Sequence, residues 1–205
     1  MRKVLTLFFT FIMMALFSFN TLGAFKASLG YVTGSWETDD YTEFVLGGQY
    51  LEDTCKIEGS YAFGGLTDYD GVDVSLLNIG GSYKVMAGYS MDLFVGGSYL
   101  IHTIGDASLK FETSALLLTI AAGFKMSDQM ELGLLLGSSL SAAWKVNDSE
   151  FPGDVTVITH GLKFGYQISD SIGLAVGYQG ITAALEGAPE NINDFSLSLG
   201  ASFNF

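Results

Sequence analysis

Two histidines, one cysteine and a large excess of carboxylates are the side chains with chemical potential in this sequence. An imidazole acts as a general base only beside a nucleophile and an orienting carboxylate. His102 has Thr103 and Asp106 near it in sequence, and His160 lies between Ile158 and Leu162 with Thr159 next to it, but neither forms a His-x-Ser pair. Asp68-Tyr69-Asp70-Gly71-Val72-Asp73 puts three carboxylates into one short stretch, the kind of hard-oxygen set that suits calcium. The distant Glu of an EF-hand loop is missing, and Asp-Gly is equally a turn signal, so the spacing leaves calcium open. Cys55 is the only cysteine and has no intrachain partner. Glycine-rich phosphate loops and cysteine-rich metal motifs are absent. On this reading no residue takes a catalytic, cofactor-binding or metal-ligating role.

The charge balance narrows the partners. The chain carries 9 Lys+Arg against 22 Asp+Glu, a net charge of −13. Arg2 is the only arginine and lies at the extreme N-terminus beside Lys3. Without clustered cations the mature chain is unsuited to nucleic acid.

The lysines reveal the elements that position them. Lys26, Lys56, Lys84, Lys125 and Lys163 each sit next to an aromatic or aliphatic residue inside an alternating stretch, on the parity opposite the large apolar side chains. Period-two alternation is the mark of a strand between two different media. If the apolar parity faces lipid, a lysine on that face at mid-depth costs about 2–4 kcal/mol, so these five point inward. Glu58, Asp92 and Glu131 share their parity. Lys84 with Asp92, Lys125 with Glu131 and Lys56 with Glu58 are therefore expected to pair in a charged ring at one end of a lumen.

Strands are expected at roughly 25–35, 42–51, 55–64, 74–85, 91–101, 114–125, 130–143, 155–167, 172–181 and 194–205. Five times, a Gly-bearing strand end is capped by an outward aromatic just before a short polar turn or the chain end: Tyr50, Tyr83, Phe124, Tyr166 and Phe203. Short turns alternate with longer connections near 36–41, 65–73, 102–113, 144–154 and 182–193. That alternation is the hairpin pattern of a transmembrane barrel. Ten strands are expected; eight follow if one hairpin in 36–64 is loop. Tyr50, Tyr83, Phe124, Tyr166 and Phe205 form one outward girdle, and Tyr31, Tyr61, Tyr99, Trp144 and Tyr178 a second, where amphipathic rings meet headgroups. The inward face is mostly small, with Val45, Leu76, Phe94, Leu100, Leu117 and Leu135 as apolar exceptions. Leu116–Leu118 and Leu134–Leu136 are apolar on both parities and do not decide between faces.

Residues 1–24 read as a secretory signal peptide: a basic start, an apolar run from Val4 to about Phe19, then Leu22-Gly23-Ala24. The apolar run is short of the roughly 20 residues of a spanning helix. Residues 25–205 form one barrel domain. The last strand, Phe195 to Phe205, alternates throughout and stops on an aromatic. With that ending the chain resembles the small bacterial outer-membrane β-barrels, the opacity-type and adhesin-type class. The resemblance implies a cell outer membrane location in a diderm bacterium and both termini in the periplasm. It also implies contact with outer-membrane lipid and lipopolysaccharide, and insertion by the barrel assembly machinery through the strand ending at Phe205.

On this topology the outer loops and strand tips hold 15 of the 22 acids, including Glu37, Glu43, Asp73, Asp106, Glu112 and Asp194, opposed by Lys110 and Lys145. The expected function is a non-enzymatic surface barrel, structural or adhesin-like, meeting a host or surface ligand through short acidic loops. The alternative is a narrow channel for ions or small apolar solutes. Behind both stands a rim hydrolase, since a ten-stranded outer-membrane protease family places acids and a histidine at its rim; this chain is short for that family and its loops are brief.

Overall fold

The computed structural model describes residues 24–188 and 190–205. The expected signal segment lies, except for Ala24, outside them. The described chain is all β, in chain order β1 (Ala24–Trp36), β2 (Asp39–Leu51), β3 (Cys55–Leu66), β4 (Asp73–Ala87), β5 (Met91–Gly105), β6 (Lys110–Lys125), β7 (Met130–Val146), β8 (Ser149–Glu150), β9 (Val155–Ser169), β10 (Ile172–Leu185) and β11 (Ile192–Asn204). Ten long strands pair antiparallel with their sequence neighbours, and β1 closes the ring against β11. The two-residue β8 folds back on the tip of β7 and takes no part in the wall. Asn147 and Asp148, at φ 48° and 64°, make the tight left-handed turn between them. The hairpin that an eight-stranded count would discard is present in full as β2 and β3.

The register fixes the shape. Starting at Ala24, the line of paired residues runs through Leu51, Lys56, Ser82, Gly96, Thr119, Gly137, Thr159, Ile181 and Asp194 and returns to β1 at Trp36, twelve residues further on. With the standard strand rise and spacing, that stagger over ten strands means a tilt of about 40° and a backbone diameter of about 20 Å. A tube of that width is filled or hollowed by the choice of inward side chain.

Alternation sorts the two faces as the sequence implies. Leu118, Leu136, Leu174, Leu197 and Leu199 are exposed on the outer wall, while Leu100, Leu117 and Val157 are buried within. The structure thus decides the two leucine runs. Leu116 and Leu118 face out around an inward Leu117, and Leu134 and Leu136 face out around Leu135, which lines the lumen cavity.

Trp144 corrects the expected outer girdle. The β6–β7 register slips at Leu116/Leu117: Leu117 pairs with Ser139 and Leu116 with Ser141, leaving Leu140 as an extra residue. A bulge reverses the parity of everything beyond it. Trp144 therefore points into the barrel, packed between Phe111 and Phe151 at ring distances of 5.8 and 6.1 Å. At the chain end, the Phe205 N–H donates to the Phe25 carbonyl at 2.9 Å, and the two rings lie 6.2 Å apart.

Candidate functional site

The lumen has three levels, set by which residue type each strand sends inward. At the end carrying Ala24 and Phe205, the terminus end, lie Lys26, Lys56, Lys84, Lys125 and Lys163 with Glu58, Asp92 and Glu131. Lys56 Nζ is 3.1 Å from Glu58, and Lys84 Nζ is 3.2 Å from Asp92. Both ammonium groups also lie over the Phe94 ring, at 5.4 and 5.5 Å from its centre. The expected third pair is not made: Lys125 and Glu131 are register partners, but their charged ends are not within 4.0 Å.

The waist is small and polar. A cavity of about 30 Å³, room for about two waters, is lined by Glu58, Asn78, Ser82, Ser98, Thr119 and Gln179 among others. Asn78 Oδ1 and Ser82 Oγ are buried here without a protein partner, so water is their natural complement.

Above the waist the lumen is filled. Leu100 (1% exposed), Leu117 (2%) and Val157 (0%) pack with Ala115, Ile181, Ala183 and Leu185, and a second cluster joins Val32, Tyr41, Val74 and Ile104. An inward ladder of Trp36, Phe111, Trp144 and Phe151 lies at the upper end, with successive rings 5.5 to 6.1 Å apart. Interiors at native density leave few voids as large as a water molecule.

Inside this apolar fill sits a polar network. Tyr41 Oη donates to Asp194 Oδ1 at 2.6 Å, and His102 Nε2 lies 3.5 Å from Asp194 Oδ2. Glu43 is 3% exposed, and its Oε1 has no hydrogen-bond partner. Tyr41 reaches from β2 across β1 to β11 because residue 34 is glycine: a Cβ there would lie 2.3 Å from Tyr41 Cζ. The sequence places Glu43 and Asp194 among the acids of the outer loops and strand tips, and His102 at a strand top; in the structure all three are buried lumen residues. The reason is parity, since each follows the inward alternation of its strand one step beyond the residues that announced it. No signal in the linear sequence joined Tyr41 to Asp194, which are 153 residues apart.

The other candidates do not assemble. His160 faces out, as its parity implies, with Nε2 3.2 Å from Tyr178 Oη and rings of Tyr178 and Phe195 beside it. Its imidazole lies over Gly180, remote from His102 in sequence and on the opposite face of the wall. Among the described residues no three His, Cys, Asp or Glu side chains are placed to hold a metal ion. Asp68 and Asp70 lead into a turn at Gly71, φ 85°, and Asp73 opens β4. In the β5–β6 loop the Asp106 carboxylate accepts the N–H groups of Ser108 and Leu109 and the Ser108 hydroxyl at 2.6–2.8 Å. Those donors hold its carboxyl below the usual range.

Two solved structures share this architecture. An outer membrane channel from Pseudomonas putida F1 superposes with a TM-score of 0.56 at 11% identity, over 90% of this chain and 96% of that one. The outer membrane protease OmpT from Escherichia coli superposes with a TM-score of 0.56 at 9% identity, over 91% of this chain and 99% of that one. The fold is that of the small outer-membrane β-barrels. One of these two neighbours is a channel and the other a protease, so the fold carries no activity with it. No family model matches the sequence, and no curated protein matches it.

Proposed function

We propose that this protein is a closed, non-enzymatic barrel of the outer membrane, structural or adhesive in role, that works through its acidic loops. One observation carries the reading: the half of the lumen nearer the long loops is occupied by close-packed side chains, with Leu100, Leu117, Val74 and Val157 essentially inaccessible. A conduit needs a continuous wet path, and this path stops at the waist. The same fill argues against a rim hydrolase. His102 and Asp194 touch, as catalytic pairs do, but both are buried beneath it, where neither a substrate nor an attacking water reaches them.

In this reading both termini face the periplasm and the connections at 36–41, 65–73, 102–113, 144–154 and 182–193 face outward. The outer wall meets lipid, and the strand ending at Phe205 carries the insertion signal for the assembly machinery. The outer acids face anionic lipopolysaccharide and a surface ligand, with Lys110 and Lys145 drawn onto Glu112 at 3.0 and 3.9 Å. The test is single-channel recording of the purified mature barrel in planar bilayers. No steady conductance is expected. A stable, reproducible open level would replace this proposal with the narrow channel.

A further inference from the structure

The end of the lumen that carries the termini differs from the filled end in two respects. It is open on the side of β6, β7 and β9: a Cβ added at Gly123, Gly133 or Gly165 would meet nothing nearer than 3.5 Å, whereas at Gly173 on β10 it would lie 2.9 Å from Ser202 Oγ. Close packing therefore does not require glycine at these positions. By contrast, the added Cβ would lie 2.3 Å from Tyr41 at Gly34 in the upper lumen, and 2.6 Å from Thr159 at Gly137 in the waist. It is also over-supplied with positive charge, five lysines against Glu58, Asp92 and Glu131. Lys56 and Lys84 have acidic partners, whereas Lys26, Lys125 and Lys163 have no carboxylate within 4.0 Å among the described residues. Lys163 also feels Lys26 and Lys56 as like charges across the lumen, offset in part by Glu131 and Glu58.

Like charges gathered inside a tube walled by hydrocarbon repel more strongly than in open water. A wall selected only to hold register would pair them, as it pairs Lys56 and Lys84. The turn acids Glu52, Asp53, Asp128 and Asp170 are exposed outside the mouth, where water and salt screen them. We propose that this bowl binds a small anion carrying a carboxylate or phosphate group, held by Lys26 and Lys163 with Lys125 at the entrance. The ammonium groups act as point charges with several donors each, and the hydroxyls and amides of the waist are placed to complete the ligand's shell.

The test is isothermal titration of the refolded mature barrel in zwitterionic detergent at low ionic strength, with inorganic phosphate in one arm and succinate in the other. Saturable binding is expected in at least one arm, and the arm that binds names the chemistry. Lys26→Gln/Lys163→Gln should weaken it by about tenfold or more. Glu131→Gln, which removes a competing negative charge, should tighten it. Lys110→Gln/Lys145→Gln, at the opposite end, should leave it unchanged; retained heat-modifiable migration shows that each variant is folded. Absence of saturable binding in both arms, or an affinity that the Lys26/Lys163 pair does not move, overturns the proposal. Neither result bears on whether the upper lumen conducts.

Discussion

Leu117 and Leu118 are adjacent in sequence and chemically identical, and the barrel places one in the lumen and the other in lipid. Truncating each to alanine removes the same three carbons. At about 0.8 kcal/mol per buried methylene, the lost transfer energy is roughly 2 kcal/mol at either site when the unfolded chain is in water. Lipid chains are fluid and refill the space at Leu118→Ala, so the cost there stays near 2 kcal/mol. Leu117 is held by Leu100, Ala115, Val157, Ile181 and their neighbours, which relax only in part, and a cavity term is added. Leu117→Ala should therefore cost about 3–5 kcal/mol, in line with buried leucine truncations generally. Equilibrium unfolding in guanidinium from lipid vesicles measures both, with the fluorescence of Trp36 and Trp144 as the signal. Equal costs within about 0.5 kcal/mol would mean that the packing around Leu117 is as loose as lipid, and the reasoning for a filled upper lumen would fail.

Three further outcomes follow from single features. Gly34→Ala should displace the Tyr41 ring and strip Asp194 of its donor, the lost hydrogen bond alone costing about 1–3 kcal/mol; in a double-mutant cycle with Tyr41→Phe that hydrogen-bond part should vanish while the clash with the ring stays. Trp144, inward because of the Leu140 bulge, should escape quenching by brominated lipid in a Trp36→Phe background, and deletion of Leu140 should make it quenchable. The Asp106 carboxyl is held below its ordinary value in the folded loop. The order it confers is therefore complete above the ordinary carboxylate value and lost as pH falls through the lowered one. Amide exchange at Ser108 and Leu109 should accelerate over that acidic window, and Asp106→Asn should abolish the pH dependence.

Much of the architecture was written in a two-residue rhythm. The parity of five lysines against the aromatics was enough to define the lumen face, and turn spacing gave ten strands with their boundaries nearly in place. What the rhythm concealed was local and three-dimensional. The bulge at Leu140 carries no residue signature, so the parity of Trp144 was carried across it unchanged. Glu43 and Asp194 look like solvent acids because the sequence near them is loop-like, although each keeps the inward parity of its strand, β2 and β11. The contact of His102 with Asp194 joins β5 to β11 across the lumen, a pairing that no spacing along the chain encodes. Lys125 and Glu131 flank one turn, yet being opposite in register did not bring their charged ends together.

A single lumen is dry at the loop end and wet at the terminus end. Nitroxide labels at residues 115, 118 and 123 of β6 test it in a single accessibility measurement with oxygen and a water-soluble nickel complex. The expected result is collision with oxygen at 118, with nickel at 123, and with neither at 115. Free access of the nickel complex to residue 115 would show a water-filled passage through the barrel and contradict the account.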